Sequence, residues 1–340
     1  MDDKGKVITA GGPVEPDALG RVLMHEHLHF DPYDWLKGEA VVAERPITEG
    51  RRAYLMEEAA PFLRRCAEHG CRGFLEATPP PWRAWPTFYA EVTRATGVHV
   101  VLCTGFYREV EVGTYWVHRP EDSIWPFVRE SSAEELAEFC IGEILEGIDG
   151  TGVRAGAIKL SASGAVLTPT EEKAFRAGAR AQKATGVHVT THCTAFGAET
   201  SQLRLLEEEG VDLSRVAIGH TAWHLMDPAM RKTCIAWMQR GASFLPTSMG
   251  IWRAEEWRPL VEAIHEVFDA GLGGCIAGFG LDWLFGSESG VFGACKHMPP
   301  PPFLHLLTHT LPAFRQMGMT AQEEEAIMAA NPQRMLAVAT

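Results

Sequence analysis

"RVLMHEHLHF", residues 21–30, decides the fold, because the same ten residues support two incompatible structures. His25-Glu26-His27-Leu28-His29 fits H-E-x-x-H, which on a helix stacks two histidines on one face beside a glutamate base, the pattern of a helical zinc protease. The same letters also hold H-x-H, which on a strand puts His25 and His27 on one face and turns Glu26 to the other. A helix would need several flanking turns, and the surroundings deny them. Gly20 stands just upstream, "RVLM" favours a strand, and Pro32 disfavours helix at Asp31, two residues beyond His29. The strand reading holds, and on it Glu26 cannot be a base acting beside the histidines. His29 has the right parity but falls where strand gives way to loop, so it stays outside the metal set.

Apolar or β-branched runs recur along the chain. They are 21–25, 71–78, 98–105, 155–162, 187–194, 215–222, 242–248 and 274–282. Amphipathic stretches lie between them, at 131–148, 170–185, 198–209, 227–240, 256–270 and 302–317. Two open with helix-start signals: Ser131-Ser132 before Glu134-Glu135, and Thr168-Pro169 before Glu171-Glu172. Strand–helix alternation implies a parallel sheet with helical crossovers. Eight units in 340 residues predict an α/β (β/α)8 TIM barrel forming a single domain over 1–340, with a doubly wound sheet as the alternative. "GFGLDWLFG" (278–286) holds a G-x-G but lacks the later glycine and helix of a dinucleotide loop. "MPPPPF" (298–303) reads as a proline stop before a helix, and the acidic triplets Glu207–Glu209 and Glu323–Glu325 as solvated helix faces.

Bulk properties narrow the class. The chain is 46% hydrophobic and 22% charged, an ordinary globular composition, and its net charge of −13 argues against nucleic acid or an anionic membrane as partner. A small-molecule substrate is the expected partner. No window is apolar enough for a signal peptide or a membrane span, and the eight cysteines are dispersed without a C-x-x-C pair. Reduced, mostly buried thiols and a cytoplasmic location are the expectation.

In such a barrel, catalytic groups lie at the C-terminal ends of the strands. Those positions carry His25 and His27 on the first strand, Lys159 on the fourth, His192 on the fifth, His220 on the sixth and Asp282 on the eighth. Imidazoles with a carboxylate suit a zinc-class divalent ion. Lys159 sits inside an apolar strand, where a bare ammonium is costly. It either snorkels or pairs with an acid, or it is neutral and adds carbon dioxide to become an anionic carbamate. The four histidines and the aspartate favour the carbamate.

The sequence resembles the phosphotriesterase family of the amidohydrolase superfamily, on "MHEHL" (24–28), "TGFY" (104–107), "TGVRAGAIKLSASG" (151–164), "ATGVHVTTH" (184–192), "EEGVDLSRVAIGH" (208–220), "LDWLFG" (281–286) and "NPQRML" (331–336). The resemblance covers nearly the whole chain. It implies two divalent metal ions, zinc or else manganese, cobalt or iron. His25, His27 and Asp282 would hold one ion, His192 and His220 the other, and carboxylated Lys159 would bridge them together with a hydroxide. It also implies that Asp282 is the general base, and that the protein is a homodimer.

Of the loop aromatics, Trp82, Trp85, Trp116 and Trp125 read as packing at the barrel rim. Tyr107, Trp252 and Trp283 are the candidates for substrate contact, Tyr107 from "TGFY" and Trp283 from its place after Asp282. An aromatic pocket favours an uncharged or acyl-bearing substrate. After the seventh strand the chain departs from the lactonase-type members, reading "FLPTSMGIW" (244–252) where they carry an aspartate-arginine element. Glu76 reads as a buried acid satisfied by local hydrogen bonds, and the remaining histidines, His188 and His224 among them, match no ligand position. The leading expectation is hydrolysis of a carboxylic ester, lactone or N-acyl amide. The alternatives are phosphotriester hydrolysis and a ligand-binding homologue that has lost turnover.

Overall fold

The computed structural model describes residues 3–28, 33–34, 39–40, 49–80, 83, 85–109, 124–249, 254–281 and 302–339. Among these residues seven parallel strands form one sheet: β1 Arg21–Glu26, β2 Cys71–Glu76, β3 His99–Gly105, β4 Ala157–Ser161, β5 His188–His192, β6 Val216–Gly219 and β7 Ser243–Leu245. Each pairs with its sequence neighbours in order from β1 to β7, as right-handed βα crossovers dictate.

Among its described residues, 274–281, the expected eighth strand at 274–282 does not form a ladder. It closes the barrel through two isolated parallel bridges, Phe244 with Ile276 and Leu23 with Phe279. Glycine is the physical reason. Gly278 adopts φ +146°, and a Cβ on Gly280 would stand 2.8 Å from the Cβ and the carbonyl oxygen of His25. The stave is kinked and pressed against β1, and it reaches closure without regular pairing.

Alternate residues of the staves, among them Val22, Met24, Leu75, Val101, Cys103, Ala157, Ala217, Leu245 and Ala277, fill the lower barrel as one cluster. The larger cluster lies between sheet and helices and takes the opposite faces, such as Leu23, Phe74, Leu102, Ile158 and Ile218. In β1 the pairing register shifts between Leu23 and Glu26. Such an irregularity re-aims side chains beside a site. Val22 and Met24 join the inner cluster below it, and His25 and His27 reach the other histidines above it.

The crossovers begin where the sequence marked them. Ser132 caps helix Ala133–Leu145 and Thr168 caps helix Pro169–Thr185, each in a reciprocal capping box with the glutamate three residues on. Helices Ala198–Glu208, Pro228–Met238 and Arg258–Asp269 follow the expected stretches within a few residues. One expectation fails. Glu323 and Glu324 are buried: Glu323 pairs with His265, and Glu324 pairs with Arg21 at 2.8 Å and with Arg315. Glu325 stays exposed, but Glu323 and Glu324 are not solvated, because Arg21 of β1, the ring of His265 in helix Arg258–Asp269 and Arg315 of helix Leu311–Gln316 converge on them. Seven cysteines are free and, apart from half-buried Cys275, buried; burial pushes the thiols of Cys66, Cys103, Cys140 and Cys234 up to about 12. Cys295 lies outside the described residues. Among the described residues no helix is long and apolar enough to cross a membrane.

Candidate metal centre

The strand ends bring five of the six expected ligands together. His25, His27, Lys159, His192 and His220 are all buried, and the Nζ of Lys159 lies 3.0 Å from the Nε2 of His25. The His25 ring is centred 5.7 Å from that of His27 and 4.5 Å from that of His220, which is 4.3 Å from that of His192. Asp282, Trp252 and Trp283 lie outside the described residues, as do Trp82, Trp116 and His29.

Each position has a local cause. His220 is held at φ +59°, a left-handed conformation that few non-glycine residues adopt. Strain of this kind persists where surrounding contacts dictate it, and it gathers at functional sites. Gly219 stands just before, where a Cβ would meet the carbonyl oxygen of Thr191 at 2.2 Å. The strand end therefore packs against β5 only because that residue lacks a side chain.

Two threonines fix ring orientation. Thr78 Oγ1 lies 2.7 Å from His27 Nδ1, and Thr247 Oγ1 lies 2.8 Å from His220 Nδ1. A ligating imidazole ordinarily donates its second N–H to such an oxygen, which leaves the other nitrogen's lone pair for a metal. Thr247→Val should therefore leave the fold intact while weakening metal retention about 10- to 100-fold. Equilibrium dialysis against a chelator checks this, and unchanged retention would mean that the hydroxyl does not orient His220.

Glu76 ties the ends of β1 and β2 together. Its carboxylate accepts the backbone N–H of Leu28 at 2.6 Å and that of Thr78 at 3.0 Å, and burial pushes its pKa up. This is the locally satisfied acid that the sequence led us to expect. Glu26 does point away from the cluster, as its parity requires. It is buried nonetheless, and it accepts the N–H of Leu281 at 2.7 Å, fixing the stave just before Asp282.

The electrostatics suit a cation-binding group. Burial, then the neighbouring Lys159 and imidazoles, hold His25 well below the usual histidine pKa; burial and then His220 do the same for His192. Both imidazoles are neutral at pH 7, the form that ligates metal. The Nε2 of His192 is buried and has no hydrogen-bond partner among the described residues. A buried nitrogen in that condition is costly unless something coordinates it. Four imidazoles and a lysine, with an aspartate next in sequence after Leu281, fit a pair of divalent ions.

Tyr107 is buried, and its ring stands edge-on to His192 at 5.5 Å, beside the histidine cluster. Trp125 packs at the rim and donates its indole N–H to the carbonyl of Arg108 at 2.7 Å. Sequence reasoning passed over Arg108 itself. The residue is 9% exposed, its guanidinium lies 5.5 Å from the Tyr107 ring centre, and its charge is among those holding His192 neutral. Its only signal in the sequence was its position directly after "TGFY".

Comparisons with known proteins agree with this geometry. The model of the phosphotriesterase family matches residues 5–336. The phosphotriesterase homology protein of Escherichia coli is 35% identical over 206 residues, 60% of this chain and 63% of that one. An N-acetyltaurine hydrolase of Salmo salar is 28% identical over 240 residues, 64% of each chain. The chain thus matches less than two thirds of either relative's length. A solved structure, a triple mutant in organophosphorus hydrolase from Deinococcus radiodurans, superimposes with a TM-score of 0.78 at 26% identity, covering 97% of both chains. With strand ends, buried imidazoles and family match in agreement, the chain belongs to the phosphotriesterase family, whose hydrolases depend on a binuclear metal centre.

Proposed function

We propose that this chain is a binuclear metal-dependent hydrolase that cleaves an acyl bond in an ester, lactone or N-acyl amide, with 1–340 acting as one domain on a small-molecule substrate. The convergence of His25, His27, Lys159, His192 and His220 in one buried cluster carries the reading. In this assignment His25, His27 and Asp282 would hold one ion and His192 and His220 the other, with carboxylated Lys159 as a shared ligand. The carbamate forms when the neutral Lys159 amine attacks carbon dioxide: an N–C bond forms, one C=O electron pair moves onto oxygen, and a proton leaves to solvent. Two bound divalent ions, zinc or else manganese, cobalt or iron, supply a water activated near neutral pH and polarise the scissile bond.

The chain's own residues do the rest. Asp282 accepts the proton of the attacking water and passes it outward. Thr78 and Thr247 hold the imidazoles in register, and Tyr107 excludes water beside His192, with Trp252 and Trp283 the further candidates for substrate contact. Arg108 supports an acyl substrate that carries a carboxylate or sulfonate near the bond, as the N-acetyltaurine hydrolase relative would suggest. Phosphotriester hydrolysis is the second reading, supported by the organophosphorus hydrolase neighbour.

A panel of N-acyl amino compounds, lactones and aryl phosphotriesters, assayed with zinc- or manganese-loaded protein, tests the assignment. Turnover of phosphotriesters alone would sink the acyl reading. Arg108→Gln should lower kcat/KM on anionic acyl substrates by about 10- to 100-fold, the worth of a charge-assisted hydrogen bond, while neutral substrates change little. An equal fall on both kinds would assign Arg108 to packing.

A further inference from the structure

We propose that Cys193, Glu199 and His224 form a separate, mononuclear site for a zinc-class divalent cation, placed behind the strand ends that carry His192 and His220. Cys193 directly follows His192 at the end of β5, and the alternation of the chain turns its side chain to the opposite face. Glu199 stands at the start of helix Ala198–Glu208, and His224 lies in the short helix Ala222–Met226, four residues after His220. All three are buried, at 0%, 2% and 1% exposure. A thiol sulfur, a carboxylate oxygen and a ring nitrogen lie within 4.8 Å of one another.

The histidine is the telling member. Its Nδ1 is buried with no hydrogen-bond partner among the described residues, and its Nε2 faces Glu199. Its nearest acidic neighbour is Glu199, whose Oε2 lies 3.5 Å from Nε2. That is long for a hydrogen bond. It matches the edge of a tetrahedron, about 3.4 Å, around a zinc ion with bonds near 2.1 Å to nitrogen and oxygen. The backbone N–H of Gly197 donates to the same Glu199 oxygen at 2.8 Å and fixes the carboxylate's orientation.

Charge balance supports the same reading. A thiolate, a carboxylate and a neutral imidazole cancel a divalent cation, so the occupied site is neutral in a place where net charge is costly. The alternative, a buried His–Glu pair at 3.5 Å, leaves the Cys193 thiol to the carbonyl of Ala195, to which it donates at 3.8 Å, and gives the Nδ1 of His224 no partner among the described residues. Sulfur, nitrogen and oxygen together select a zinc-class ion over magnesium or calcium. On binding, the Cys193 thiol gives its proton to solvent and a sulfur–metal bond forms, with water as the fourth ligand. Phe196 is 56% exposed, and its ring is centred 5.0 Å from that of His224. The ion would clamp three segments that set the positions of His192 and His220, and no ligand of the binuclear assignment belongs to it.

Sulfur supplies the test. The six ligands of the binuclear assignment include no cysteine, so a thiolate-to-cobalt charge-transfer absorption reports on this site alone. Protein produced in cobalt-supplemented medium should hold three cobalt ions per chain and show that absorption. Cys193→Ser and His224→Gln should each lose one ion, and Cys193→Ser should lose the absorption. Cys234→Ser, which removes a neighbouring thiol, should keep both. No charge-transfer absorption in the metal-saturated wild type, or its persistence in Cys193→Ser, would overturn the proposal. The two cobalt equivalents that do not depend on sulfur report separately on the binuclear centre.

Discussion

Lys159→Ala is expected to lose bound metal and hydrolytic activity together, and to regain part of both when a short carboxylic acid such as acetate is added. Lys159 is fully buried in the middle of β4, and its Nζ lies 3.0 Å from the Nε2 of His25. A bare ammonium in that position would act unfavourably on the His25 and His192 imidazoles. Conversion to a carbamate would remove the positive charge and offer anionic oxygens to a metal pair. Outer-shell partners of metal ligands are worth about 10- to 100-fold in affinity or activity, so removing a bridging ligand should cost more than about 100-fold. Metal analysis, kcat/KM and a carboxylate titration would be read on the same preparation. A folded variant with both metals and full activity would refute the bridge. A folded variant that loses activity but keeps both metals would assign the lysine to substrate rather than to metal.

Gly105→Ala is expected to damage the same centre through the backbone. Gly105 ends β3 at φ +112°, and a Cβ there would stand 2.1 Å from the carbonyl oxygen of Lys159 and 3.0 Å from its nitrogen. That carbonyl also accepts the N–H of Phe106 at 2.8 Å. The clash cannot be relieved by a side-chain rotation, so β3 and β4 must separate where Lys159 sits. Backbone strain of about 1–3 kcal/mol and overpacking of similar size together give roughly 2–6 kcal/mol. That is a large share of the 5–15 kcal/mol by which domains are typically stable, and at about 2.1 cal/mol/K per residue it lowers Tm by about 3–8 °C. Gly12→Ala separates the two causes, because Gly12 has φ +111° and a Cβ there would meet nothing within 4 Å. It should cost the strain alone and leave metal binding unchanged. Equal losses in both variants would assign the effect to φ and not to the contact with Lys159.

Much of this protein could be read from its sequence because the decisive signals are local. A strand's period of two makes "RVLMHEHLHF" place His25 and His27 together. Pro32 and Gly20 remove the helical reading without any knowledge of the rest of the chain. Ser132 and Thr168 announced their helices through contacts only three residues long. The order of strands followed from crossovers that leave a parallel sheet little choice. Tertiary structure alone decided whatever depends on residues far apart in the chain meeting. The eighth stave closed by two bridges because Gly278 and Gly280 let it press against β1. Thr247 reached His220 across 27 positions, and Arg108 came to lie over Tyr107 at the edge of the histidines. Glu323 and Glu324 were buried by partners that their own helix does not carry. The grouping of Cys193, Glu199 and His224 belongs with these. Periodicity fixes which way a side chain faces, but only the packing of one element on another fixes what it meets.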